Sequence, residues 1–141
     1  MAVDLKIKIG GEAGQGMQTV SHTLAHVFAR GGLHVFAVQD YQSRIRGGHN
    51  FSAVRVKDMP VFAMTHGLNI LIALNEETIA LHSSELIKGG IIIYDGERIK
   101  IPIRERNLFS IPLERLAKEE GGDKLYGNSV AAGATLGLIG Y

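Results

Sequence analysis

Cysteine is absent from the 141 residues. That excludes disulfides, thiolate metal sites, a cysteine nucleophile and iron–sulfur ligation by this chain itself. Tryptophan is absent too and aromatic residues make up 6%, so a stacking platform for nucleic acid is not supported. No apolar run approaches the roughly 18–20 residues needed to span a membrane. Asp4, Lys6 and Lys8 interrupt the one apolar stretch at the start, so no signal peptide is expected. Proline occurs three times, against eighteen glycines. A cytoplasmic protein fits this composition.

The apolar share of 45% is that of a globular protein, and the length suits one domain over residues 1–141. Net charge is +1, yet residues 1–57 hold seven Lys/Arg against three Asp/Glu, and the remainder eight against eleven. The basic portion favours an anionic ligand or an acidic partner.

The basic portion also contains the run Gly10-Gly11-Glu12-Ala13-Gly14-Gln15-Gly16. It follows an alternating strand over 3–9 and precedes an apolar-striped helix over 17–30, where Met17, Val20, Leu24, Val27 and Phe28 recur at helical spacing. Glycines admit positive φ and close approach, and a helix start offers unpaired N–H groups to an anion. Close strand–helix packing would use the same glycines. Residues 33–38 predict a second strand, buried on both faces, completing a β-turn-α-β unit. Asp40 stands just past it, where a dinucleotide-binding unit would grip a ribose hydroxyl. A solvated loop carboxylate is the plainer reading of Asp40.

A loop follows with Tyr41, Ser43, Arg44, Arg46, Gly47, Gly48, His49 and Asn50. Arginine forks suit phosphate or carboxylate oxygens, and they serve equally in ion pairs to a partner. Residues 51–56 predict an edge or antiparallel strand, and 68–74 a buried one. Asn75 with Glu76 and Glu77 opens a helix. A helical turn is expected over 84–88, strands over 91–94 and 107–111, and a helix from Pro112 through about Glu120, ended by Gly121-Gly122. Asn128 is read as the cap of a last helix, whose Ala131, Ala132, Gly133, Ala134 and Gly137 permit close packing. Its apolar end (Leu136, Leu138, Ile139) predicts either continuation in a longer polypeptide or a covering partner. His22 and His26 share a helix face, but no third ligand accompanies them, and no metal site is expected. No set of residues makes a self-contained catalytic group.

These pieces resemble the gamma subunit, or gamma domain, of the 2-oxoacid:ferredoxin oxidoreductases. The resemblance rests on Gly10, Gly11, Gly14, Gln15 and Gly16 after the first strand, and on Tyr41, Ser43, Arg46, Gly47 and Gly48. Val54-Arg55, Leu71-Ile72-Ala73-Leu74, Lys88-Gly89-Gly90 and Asn128 before a Gly/Ala-rich helix extend it over essentially the whole chain. It implies an α/β, three-layer Rossmann-like domain with a largely parallel or mixed sheet and helices on both faces. It also implies an assembly that decarboxylates a 2-oxoacid on thiamine diphosphate, passes electrons through iron–sulfur clusters to ferredoxin, and forms an acyl-coenzyme A. Thiamine diphosphate and the clusters would belong to other subunits or domains. This chain would serve subunit packing and be a candidate contact for coenzyme A. Gly14-Gln15-Gly16, Arg44 and Arg46 suit the coenzyme's phosphates chemically. Glu12 and Ala13 depart from the family's glycine-richer turn, and a carboxylate beside a phosphate is unfavourable unless it points away. A dinucleotide-binding Rossmann domain using Asp40, and a ligand-free interaction module, stay open on the residues alone.

Overall fold

The structure, a computed structural model, describes residues 2–40, 48–101 and 107–141, with Leu125 described in its backbone only. Strands β1 (Asp4–Glu12), β2 (His34–Asp40), β3 (His49–Lys57), β4 (Leu68–Ala73), β5 (Leu86–Tyr94) and β6 (Asn107–Ser110) form one sheet in the order β2-β3-β1-β4-β5-β6. The helices are α1 (Met17–Arg30), α2 (Glu76–His82), α3 (Leu113–Gly121) and α4 (Gly127–Ile139).

The sheet is mixed. β1–β4, β4–β5 and β5–β6 are parallel, whereas β3 runs antiparallel to both β1 and β2. β1 and β2 therefore point the same way but are not neighbours. One expectation changes, for 33–38, and the one for 51–56 is met in its antiparallel form. Residues 34–40 form an outer strand with exposed His34, Ala37, Gln39 and Asp40, because β2 has a strand on one side only. Residues 49–57 lie inside the sheet, and Ala53, Val54 and Val56 are buried.

Strand alternation sends side chains to two cores. Ile7, Ile9, Val54, Val56, Ile70, Ile72 and Ile93 meet Met17, Val20, Leu24 and Phe28 of α1, together with Leu113, Ala131 and Ala132. On the other face Leu68, Leu71, Ala73 and Ile92 meet Ile79 of α2 and Ile99. Helices thus cover both faces, as the Rossmann-like reading requires. Full burial of each large apolar side chain contributes about 1.5–3 kcal/mol. The small residues of α4 act as expected at Ala131 and Ala132, which are buried in the core that α1 also lines. Gly133 and Gly137 face open space.

Local signals held in part. Asn75 caps α2, its side chain accepting from Thr78 N at 3.0 Å. Gly122 closes α3 with φ 81°. Asn128 is not a cap: α4 begins at Gly127, and no side chain caps it. The helical turn expected over 84–88 is a 3-10 turn over Ser83–Glu85. β5 then starts at Leu86 and runs through Gly89-Gly90, with an irregular register beside Leu68 and Ile70.

Candidate functional site

β1 does not end before the glycines. Gly10, Gly11 and Glu12 pair with Phe51, Asn50 and His49, and Leu74 N donates to Gly10 O at 2.9 Å. A Cβ on Gly10 would stand 2.5 Å from Thr78 Cγ2 and 3.0 Å from His49 Cε1. One on Gly11 would stand 2.6 Å from Gln15 Oε1 and 3.0 Å from Leu74 Cβ. These two glycines make room for neighbouring side chains. Gln15 braces the turn: its Oε1 accepts from Glu12 N at 2.6 Å and its Nε2 donates to Leu74 O at 3.2 Å. Gly14 (φ 90°) has open space where a side chain would project. Gly16 (φ 84°) precedes α1, and the Asn128 side chain fills the space beside it.

A crevice of about 310 Å³ opens beyond the ends of β1, β4 and β5, where ligands bind open α/β sheets. Gly14 and Gln15, Leu113 and Glu114, and Gly127 and Asn128 bring to it the beginnings of α1, α3 and α4. Each helix start carries partial positive charge. The acids in the wall are already engaged. Buried Asp95 accepts from Glu97 N at 3.0 Å and Glu114 N at 3.1 Å. Glu114 pairs with Lys118 at 3.0 Å and with Arg98, and the Lys118 hydrogen bond, together with Arg98, holds its carboxyl below the ordinary value. Lys124 at the rim has no ion-pair partner among the described residues. The formal charges of the lining cancel, Asp95 and Glu114 against Arg98 and Lys124, so the three helix starts leave a partial positive excess.

Among the residues expected to bind, Gly14 and Gln15 line this crevice. Gly16 sits behind Asn128, and Gly10 and Gly11 face packed side chains. Gly48 takes φ 100° just before β3. Tyr41, Ser43, Arg44, Arg46 and Gly47 lie outside the described residues. Asp40 ends the outer strand β2 and is exposed, with β3 standing between β2 and β1. The dinucleotide reading needs that acid beside the glycine turn, and the inserted strand removes it. Exposed His22 and His26 stack with ring centres 6.4 Å apart. Among the described residues no group of three or more His, Cys, Asp or Glu is placed to hold a metal, and no helix is long and apolar enough to cross a membrane.

One cluster had no sequence signal. His49 Nε2 and His82 Nε2 are 2.6 Å apart, and His82 Nδ1 is 2.9 Å from Glu85 Oε2. Lys8 Nζ lies 3.1 and 2.9 Å from the two Glu85 oxygens and 4.2 Å from the centre of the Phe51 ring. Burial, then the Lys8 charge, lower the His82 pKa below its ordinary value. For Glu85, burial pushes upward, but bonds and charge from Lys8 and His82 outweigh it and hold the carboxyl below its ordinary value. The participants come from β1, β3, the end of α2 and the 3-10 turn after it, which only the folded sheet brings together.

The mixed sheet, helices on both faces and crevice at the strand ends define a Rossmann-like α/β domain. The model of the family "Pyruvate ferredoxin/flavodoxin oxidoreductase" matches residues 6–141, and the chain belongs to that family. It is 26% identical over 141 residues to the 2-oxoglutarate synthase subunit KorC of Archaeoglobus fulgidus, covering 99% of this chain and 73% of that one. It is 29% identical over 87 residues to the 2-oxoacid:ferredoxin oxidoreductase subunit alpha of a Sulfolobus species, covering 62% of this chain. That match spans only 13% of the alpha subunit's length. Among solved structures, the keto/oxoacid ferredoxin oxidoreductase gamma subunit of Geobacter sulfurreducens superposes with a TM-score of 0.82 at 27% identity, covering 98% of this chain and 77% of that one. The 2-oxoglutarate:ferredoxin oxidoreductase of Magnetococcus marinus, with 2-oxoglutarate, coenzyme A and succinyl-CoA bound, superposes with a TM-score of 0.83 at 27% identity. The superposition covers 94% of this chain and 24% of that one.

Proposed function

We propose that this chain is the gamma component of a multi-subunit 2-oxoacid:ferredoxin oxidoreductase that converts a 2-oxoacid to an acyl-coenzyme A in the cytoplasm. The supporting observation is the crevice at the starts of α1, α3 and α4, whose acids are internally engaged while Lys124, Asn128 and the open Gly14 remain at its wall. These groups suit a phosphate arm of coenzyme A. Gly14 leaves room for close approach, Asn128 offers an amide and Lys124 a charge. At about 310 Å³ the crevice is at the small end of ligand pockets. It would take part of the coenzyme and leave the rest to a partner surface. Arg44 and Arg46 belong to the same proposal as further phosphate contacts, with Tyr41, Ser43, Gly47 and Gly48 as their neighbours in the sequence.

In this reading the chain positions the coenzyme and packs against its partners. Bound coenzyme A supplies the thiol that accepts the acyl group. Thiamine diphosphate and iron–sulfur clusters are held by other subunits, and ferredoxin takes the electrons. The test is to tag the chain in its own host, purify it gently, and measure viologen reduction driven by a panel of 2-oxoacids, with and without coenzyme A. Coenzyme-A-dependent reduction with one oxoacid is expected. A chain that purifies alone, supports no reduction and binds a nicotinamide dinucleotide would overturn the proposal.

A further inference from the structure

The cluster beneath Gly10 has its protons placed by geometry. Glu85 is ion-paired to Lys8 and therefore a carboxylate, which only accepts hydrogen bonds. His82 Nδ1, 2.9 Å away, must then carry a proton. A neutral His82 has a bare Nε2, so His49 Nε2, 2.6 Å away, must be the donor. A neutral His49 is thereby left with a bare Nδ1. That atom is buried and has no hydrogen-bond partner among the described residues. A buried acceptor without a donor is costly, and here two rings are locked in the tautomers that create it. The other end of the chain reaches water, because the Glu85 side chain is 41% exposed.

We propose that His49, His82 and Glu85 form a proton relay that presents His49 Nδ1 as a buried base and connects it to solvent at Glu85. A proton from an O–H, S–H or N–H donor binds His49 Nδ1. The Nε2 proton of His49 moves to His82 Nε2, and the Nδ1 proton of His82 moves to Glu85, which exchanges it with water. One proton enters, one leaves, and neither imidazole keeps a net charge. Each transit leaves both rings in the opposite tautomer, so return of a proton through the same atoms resets them. The relay therefore suits a step that borrows a proton and gives it back. The charged groups around it are Lys8 and Glu12 on β1 and Glu85 itself. Lys8 sits against Glu85 and Phe51. Glu12, the ladder partner of His49, is exposed. Lys8 opposes an imidazolium at His82, which favours passage of the proton over its storage. This inference goes beyond the proposed function and does not depend on it.

The test is a long-range ¹H–¹⁵N spectrum of the full chain labelled with ¹⁵N-histidine, near neutral pH. His82 is expected protonated at Nδ1 and His49 at Nε2, with a scalar coupling between the two Nε2 atoms across their hydrogen bond. A His49 protonated at Nδ1 overturns the relay without any variant. Glu85→Gln keeps an acceptor for His82 but cannot take its proton. It should slow exchange of both ring protons even though loss of the Lys8 ion pair lowers backbone amide protection. Unchanged ring-proton exchange in that variant also overturns the proposal.

Discussion

Gln15 Nε2 donates to Leu74 O at 3.2 Å, tying the crest of the glycine turn to the end of β4. The same side chain accepts from Glu12 N, so one amide closes the turn in both directions and sets the floor of the crevice. Gln15→Ala removes both bonds, one exposed and one part-buried, and should cost about 0.5–1.5 kcal/mol. Gln15→Glu restores only the acceptor, since a carboxylate cannot donate to Leu74. Urea denaturation should rank wild type above Gln15→Glu. Equal stability of those two would show that the Leu74 bond contributes nothing.

Gly14 and Gly16 share a positive φ but not a neighbourhood. A side chain at Gly14 meets only the conformational cost, about 1–2 kcal/mol, because its surroundings are open. At Gly16 the same cost is joined by collision with Asn128. Gly16→Ala should therefore destabilise more than Gly14→Ala, and Asn128→Ala should recover part of the difference in the double variant. Roughly 3 °C of melting temperature per kcal/mol makes the contrast measurable for a domain of this size. Equal losses at the two glycines would show that Asn128 does not restrict Gly16.

Local chemistry made much of this legible from the sequence. The α1 stripe, the Asn75 cap and the alternation of β1 each depend on residues within a turn or a strand. Sheet order does not, and the apolar run at 33–38 looked like an inner strand because apolar content does not reveal how many neighbours a strand has. The glycine run was legible as a place of close approach. That Thr78, His49 and Gln15 do the approaching at Gly10 and Gly11, rather than a ligand, depends on segments brought together by folding. The His49–His82 contact joins residues 33 positions apart, and Asp95 after β5 and Lys124 in the 3-10 turn Lys124–Tyr126 enter the crevice with no motif of their own.

Lys124 is the crevice cation with no competing ion pair among the described residues, so the proposed coenzyme site can be tested there at little structural cost. Lys124→Gln in the assembled enzyme should raise KM for coenzyme A roughly tenfold, the loss of one charge-assisted contact, with kcat nearly unchanged. Lys88→Gln is the control, since Lys88 is exposed, has no ion pair among the described residues and does not line the crevice. Equal effects of the two would point to general electrostatics instead of a contact.

Acid should weaken the fold in two stages. The folded His82 has its pKa lowered from the ordinary 6.5, first by burial and then by Lys8. As pH falls below about 6.5 the unfolded chain binds this proton before the folded one does, so stability falls until the folded pKa is passed. Glu85 is held below its ordinary 4.5 as the bonds from Lys8 and His82 overcome burial. Its contribution is complete above 4.5 and is lost as pH drops through the folded value. Asp4, held low chiefly by its Arg55 hydrogen bond, joins this second stage. His82→Gln keeps a polar side chain between His49 and Glu85 but removes the titrating group. Urea midpoints measured from about pH 8 to about pH 3 should show both stages in wild type and only the lower one in His82→Gln. A wild-type profile that stays flat until the carboxylates titrate would mean that His82 accepts a proton as readily folded as unfolded, and the tautomer argument for His49 would lose its middle link.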